Sequence, residues 1–531
     1  MLHLRRATHV AVVAVLLALG VGSRAPEAAA QTLTVALAAA VTSVDPHFHN
    51  TSSNNAASRH LFDTLIRQDP GQRLRPGLAV AWRAVDPTTW EFELRPGVRF
   101  HDGASFTADD VVASIARAAN LLGSPSSFAL YTRAITAAEA TGPLRLRLRT
   151  AAPHPLLPVD LSLLPIMSVR ARGLATSDLN QGHGVVGTGP FKLVAFEVGD
   201  RMVLARDDGY WDGPSPWAQV VLRFVANGAA RATGLLSGAF DLIEAPTPTT
   251  LEDLARTPGI GLSRVVSNKV VFLFPDHERL VTPFVTDHAG RPLDPNPLRD
   301  PRVRRALDLA IDRQAIVDRV LRGEGVATGQ ILPAGLFGHV PNLPVTEARA
   351  GEARELLAEA GLPHGFALTL HTPNDRFLAD EQIAQSVAQM LARVGVRTQV
   401  VAMPWATFAG RSARGEFSLI LIGWGAGTGE ASSPLRGVLA SPNRARGWGI
   451  ANRGRWRSPG FDALLDRAMA EIDDEVREDL LRRATELAIG ERAILPLHHE
   501  MATWAHRASV RHQPRVDQYT TAMDVTPASR R

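Results

Sequence analysis

The sequence predicts an α/β protein of two or three lobes, on three observations. The chain has 531 residues, more than one ordinary hydrophobic core organises. It is 45% apolar and 21% charged, the balance of a globular protein rather than a disordered or fibrous one. From residue 300 onward helical and strand patterns alternate, the grammar of a parallel sheet with helical crossovers.

The N-terminus stands apart. Arg5 and Arg6 precede an apolar run from Val10 to Val21, and Ala28-Ala29-Ala30 supplies a small-residue cleavage site before Gln31. That run is shorter than the ~20 residues that span a bilayer, so residues 1–30 are expected to be a removable signal peptide. The mature chain would begin at Gln31 in the periplasm. There is no cysteine, which excludes disulfides, thiolate metal sites, a cysteine nucleophile and a lipidated N-terminal cysteine. The formal net charge is +4, and arginine supplies every basic side chain except Lys192 and Lys269. These charges are dispersed, so nucleic acid is not expected as a partner.

Thr32 to Ala38 alternates and predicts a strand. Thr89 to Arg95 does so more clearly, with Trp90, Phe92 and Leu94 on one face. Thr107 can cap a helix whose apolar positions Val111, Ile115 and Ala118 keep helical spacing. Leu144 to Arg149 alternates strictly, which reads as a sheet with its arginines in solvent. Further on, Asp300 caps and Pro301 opens a helix that buries Val303, Ala306, Leu307, Ala310 and Ile311. A helix from about Thr346 stops at Gly361, and another runs from Glu381 to Val394. Phe366 to His371, Val396 to Val401 and Phe417 to Ile422 read as strands. Ligands sit at the carboxyl ends of parallel strands, and the glycine-rich stretch GWGAGTGE begins where the last of these ends.

Enzyme signatures fail one by one. A phosphate-binding loop needs Gly-Lys, and neither lysine follows a glycine. Gly423, Gly425, Gly427 and Gly429 alternate strictly, unlike a dinucleotide fingerprint, and no G-x-S-x-G elbow is present. His498-His499-Glu500 lacks the second histidine of a zinc protease, since Thr503 stands one turn on. Adjacent histidines also point to opposite faces of a strand. His47 and His49 have two-ligand spacing and no third partner. Asp109-Asp110 and Asp473-Asp474 read as solvated helical positions rather than an acid and a base. The sequence therefore predicts no catalytic residues, no metal and no cofactor.

Four stretches resemble the extracellular solute-binding proteins of family 5, the binding components of peptide and nickel ABC importers. They are WEFELRPGVRFHDGASFTADDVVASIAR (90–117), GTGPFKLVAFEVGDRMVLARDDGYWDG (187–213), VRRALDLAIDRQAIVDRVL (303–321) and GWGAGTGE (423–430). The resemblance runs from about residue 32 to 520. It implies a two-lobed periplasmic binding protein of the cluster C type, with a hinge of two crossing segments and an extra inserted lobe. The first lobe would gather 31–60, 185–270 and 491–531, the inserted lobe 61–184, and the distal lobe 271–490. Crossings would fall near Ser267 to Phe274 and Leu495 to Thr503, and hinge closure would enclose ligand.

The resemblance also implies site residues. Asn50, Thr51 and Ser52 fall on positions that contact extended ligands, and Trp405 matches a pocket-lining tryptophan. Trp424, Gly425, Ala426 and Gly427 match a loop that in oligopeptide binders carries an aspartate for the peptide amine. Gly427 replaces that aspartate here, and Glu430 is the expected substitute. Glycine lets ligand backbone approach and exposes main-chain N–H groups, while Trp424 offers an apolar platform. His499 and Glu500 border the cleft on the second hinge segment. The expected function is delivery of a peptide-like solute, by a monomer, to the membrane permease and ATPase subunits of an ABC importer. A nickel chelate, an opine or glutathione-type compound and an oligosaccharide are alternatives on the same fold. A secreted hydrolase is the alternative from another class.

Overall fold

The computed structural model describes residues 31–528, so the expected signal peptide lies outside the described residues. A twelve-stranded mixed sheet runs through the molecule. At one end Thr32–Leu37 lies parallel to both Gln219–Phe224 and Leu242–Glu244. With neighbours on both sides, its Leu33, Val35, Ala36 and Leu37 are all buried. Arg201–Arg206 and Phe191–Glu197 complete this end as an antiparallel meander.

At the other end Phe366–Pro373 lies parallel to Val396–Met403 and to Leu419–Gly425. Helices Pro301–Ala310, Ala350–Glu359 and Asp380–Ala392 bury the expected stripe, including Val303, Ala306 and Leu307, against these strands. Asp300 caps the first of them, accepting from the Arg302 amide at 2.8 Å. The second begins at Ala350 rather than Thr346. Thr346 Oγ1 instead donates to Asp308 at 3.0 Å and the Arg349 amide to the Leu309 carbonyl at 2.7 Å, which holds this segment extended.

Two long antiparallel strands, Ile260–Pro275 and Leu495–Arg507, are shared by both ends of the sheet. Their ladder is irregular at two places, between Val271 and Phe272 and, more widely, between Val266 and Val270: Val266 faces Met501 and Val270 faces His499, so Ser267, Asn268 and Lys269 stand opposite Glu500 alone. A bulge there removes ladder hydrogen bonds where the two halves meet, which makes it the natural pivot. It falls inside both expected crossings.

Residues between the first strands form a separate four-stranded antiparallel sheet, ordered Ala79–Asp86, Thr89–Leu94, Arg145–Thr150 and Ile135–Gly142. Trp90, Phe92, Leu94, Leu146 and Leu148 face inward against Val111, Ile115 and Ala118 of helix Ala108–Asn120, as the alternation predicts. Arg145 and Arg149 are exposed, and Arg147 pairs with Glu91 at 2.9 Å.

Asp110 corrects the reading of its acidic pair as solvated. It is 3% exposed. Its carboxylate accepts from the amides of Thr107 and Val169, both at 2.8 Å, and from Thr107 Oγ1 at 3.2 Å. It thus closes a capping box and ties a distant loop to the helix start. Asp110→Ala should lower stability by about 1–2 kcal/mol, with Asp109→Ala nearly silent. Denaturant midpoints of the two variants check this; equal midpoints would refute the role.

Candidate functional site

The glycine-rich stretch is placed by the hinge. Leu419–Gly425 runs three residues past the expected end at Ile422, because Gly423, Trp424 and Gly425 pair with Val271, Val270 and Lys269 of the hinge strand. Trp424 is half-buried, and its ring lies so close to Gly437 that a Cβ there would meet Cζ2 at 2.9 Å. Gly425 and Gly427 are exposed, whereas Ala426 is buried in the distal core.

The main-chain N–H groups of this loop are largely consumed within the protein, against expectation. Ala426 donates to Asn268, Gly427 to Gly425, Gly429 to Ala426 and Ala431 to Phe337, all at 2.8–3.0 Å. What the loop shows outward is glycine surface and indole rather than a row of donors.

Glu430 requires a second correction. Its side chain is 3% exposed and pairs with Arg477 Nη1 at 2.8 Å, while Ser432 Oγ donates to the other carboxylate oxygen. Arg477 in turn lies over the Phe337 ring at 4.3 Å. A carboxylate with both oxygens engaged in the core is not free to reach back toward Gly427.

Trp405 opens the helix Trp405–Ala413, and its amide donates to Asp375 at 2.7 Å. It stacks on Phe408 at 5.9 Å and meets Phe377 edge-on at 6.4 Å. The Arg376 guanidinium lies over the Trp405 ring, 5.1 Å from its centroid, and has no carboxylate within ion-pair distance among the described residues. Asn50 donates to the Tyr131 hydroxyl at 3.0 Å and accepts from Asn55 at 2.8 Å. Thr51 is the residue before helix Ser52–Leu61, whose first residue Ser52 is exposed.

A cavity of about 310 Å³ lies against the hinge strands. Glu244 and Gln518 line it from one end of the sheet, Glu324 and Arg376 from the other, and Lys269 and Glu500 from the hinge itself. Lys269 faces Glu500 at 3.5 Å, and Glu324 is held by Arg264 at 3.1 Å and by Thr503 Oγ1 at 2.6 Å. Burial pushes the Glu244 carboxyl up from its ordinary range, against the opposing hydrogen bond from Thr520. The cavity therefore carries both signs of charge, with Arg376 as its unpaired cation.

Of the two histidine pairs, His47, His498 and His499 are buried and His49 is half-buried. His47 is fully buried; its Nε2 bonds the Pro165 carbonyl at 2.8 Å and its Nδ1 faces Arg117 at 3.3 Å. His49 bonds Thr42 Oγ1 at 2.8 Å through Nδ1. His499 contacts the Lys269 carbonyl at 3.3 Å, and burial lowers it to about 4 and His498 to about 3. Among the described residues no group of three or more His, Asp or Glu side chains is placed to hold a metal ion.

Glu244, Lys269, Glu324 and Arg376 escaped the sequence reading. For Arg376 a signal existed, since it follows the carboxyl end of the parallel strand Phe366–Pro373, where ligands gather. Nothing local marks the other three.

Two α/β ends joined by two shared strands, with a charged cavity against the pivot, define a hinged solute-binding protein. The chain belongs to the bacterial extracellular solute-binding proteins of family 5, whose middle-region model matches residues 73–445. These are the binding components of ABC importers. It is 27% identical over 491 residues to the glutathione-binding protein GsiB of Salmonella paratyphi A, covering 91% of each chain. It is 26% identical over 482 residues to the heme-binding protein A of Haemophilus influenzae, covering 85% of this chain and 83% of the other. The structure of HbpA2 from Haemophilus parasuis superposes with a TM-score of 0.80 at 24% identity, over 94% of this chain and all of that one. No helix among the described residues is long and apolar enough to cross a membrane.

Proposed function

We propose that this protein carries a peptide-like solute with a free carboxylate to its permease and ATPase, as a periplasmic monomer that binds and releases without catalysis. Arg376 carries this reading. A guanidinium stacked on Trp405 in a cavity that holds both charge signs, and left without a protein carboxylate, is matched by the planar carboxylate of a ligand. Glu500, loosely held by Lys269, is the acid best placed for a ligand N–H donor. None of Trp405, Trp424, Gly425, Gly427, Asn50, Thr51 and Ser52 lines the 310 Å³ cavity itself. In this reading the first four are the apolar and close-approach surface beside it, and the last three the wall that the family resemblance assigns. Similarity to a glutathione-binding protein supports a small acidic peptide over an oligosaccharide.

Native mass spectrometry of protein purified without refolding identifies the co-purified solute; a neutral sugar or a metal-free aromatic there would overturn the reading. Small-angle scattering should show compaction when stripped protein is given that solute back. Arg376→Met should weaken its binding at least about tenfold, the loss of a charge-assisted hydrogen bond.

Gly427 provides no carboxylate and Glu430 is committed to Arg477, so the solute should not depend on a free α-amine at this loop. Its free-amine and N-acetylated forms should bind wild type within about tenfold of each other. If the free amine is strongly preferred and Glu500→Gln abolishes the preference, Glu500 is the amine anchor instead.

A further inference from the structure

A short hairpin, Ile66–Gln68 paired with Leu74–Pro76, roots in the core of the four-stranded unit through Leu65, Ile66 and Leu74. Its tip reaches the glycine-rich loop of the distal half. Three successive carbonyls of that loop each receive a side-chain amide. Asn268 Nδ2 donates to Ala426 at 3.1 Å, Gln72 Nε2 to Gly427 at 3.1 Å and Gln68 Nε2 to Thr428 at 3.3 Å. Asn268 Nδ2 also donates to Gln72 Oε1 at 2.8 Å, so the hinge bulge, the hairpin and the loop form one network.

The backbone is shaped for this contact. Gln72 has φ of +60°, a left-handed conformation unusual for a residue with a side chain, and Gly429 opposite it has φ of +79°. A Cβ on Gly429 would meet the Gln72 Cβ at 2.8 Å, so only glycine lets the two segments approach. The hairpin tip is steadied from behind: Val516 donates to the Pro70 carbonyl at 2.9 Å, and Arg515 Nη2 to the Gln68 carbonyl at 3.2 Å. Gln72 and Asn268 are 5% exposed, so water does not compete for these bonds.

We propose that Gln68, Gln72 and Asn268 form an amide clasp that positions the glycine-rich loop and limits how far the lobes open when no solute is bound. The clasp joins elements on opposite sides of the pivot, and opening must break it. Because Gln72 bonds both the loop and the hinge residue Asn268, it ties the position of the ligand-facing loop to the hinge angle. The inference uses the two-lobed architecture and is independent of which solute binds.

The absence of cysteine makes the test direct, since Val198→Cys and Leu280→Cys place a single label pair at exposed sites on the two ends of the sheet. Spin-label distances are measured on solute-stripped protein, with and without Gln72→Met, which keeps side-chain length and removes the amide. The expected result is a shift of the main distance peak to longer separation. Amide exchange at Ala426–Glu430 should rise by about tenfold, in line with the loss of a buried hydrogen bond. Gln68→Met leaves the left-handed turn untouched and carries the same test if Gln72→Met does not fold, with a smaller shift expected. Unchanged distances and unchanged loop exchange in the folded variants would overturn the clasp. Unchanged distances together with weakened solute binding in Gln72→Met would overturn it too, because Gln72 would then act on the loop alone, and the proposed function of the wild-type protein would still stand.

Discussion

Between pH 6.5 and pH 4 the protein should lose stability steeply, and histidines should be the cause. His47, His60, His371 and His499 are lowered from 6.5 to about 4, and His277, His498 and His512 to about 3, in each case foremost by burial. The unfolded chain takes up these protons near 6.5, while the folded protein refuses them until the lower values. Above 6.5 neither state holds the protons, so the full stability is present there. As the pH falls through the window the unfolded state binds more protons, and each group removes up to about 1.4 kcal/mol per pH unit. Guanidinium midpoints at pH 7.5, 5.5 and 4.5 measure the slope. A flat profile would show that the histidines are not buried neutral. His498→Gln should flatten it partly, since its two ring nitrogens have no hydrogen-bond partner among the described residues.

Removing one member of the Glu430–Arg477 pair should be the most damaging single substitution near the cleft. Both side chains are at most 5% exposed, and Arg477 also meets Asp474 at 3.1 Å. Arg477→Met would leave the Glu430 carboxylate buried without its counter-ion, at a cost of about 3–5 kcal/mol. Glu430→Gln in the same chain removes the orphaned charge and should restore most of the loss. Denaturant unfolding of the single and double variants decides it; equal losses in both would mean that charge is not the issue. The wild-type pair also fixes the end of the glycine-rich loop, so Arg477→Met should weaken solute binding at temperatures where the protein remains folded.

What the sequence by itself determined is local. Alternation in Thr89 to Arg95 and Leu144 to Arg149 selects a buried and an exposed face, because a strand turns each side chain to the opposite side of its neighbour. Thr107, Asp300 and the glycines at helix ends announce their caps through chemistry contained within a few residues. The family resemblance added the two-lobed architecture and drew attention to GWGAGTGE. The tertiary structure alone decided how distant side chains pair. Asp110 reads as a solvated helix residue until Val169 is folded against it. Glu430 reads as a free acid until Arg477, on a helix 47 residues away, takes its charge. Gln72 carries no local signal at all, and its partner Gly427 is 355 residues distant. The physical reason is one of range. Backbone periodicity and capping are set by neighbours along the chain, whereas the state of a buried polar group is set by whichever partner the completed fold brings within about 3 Å.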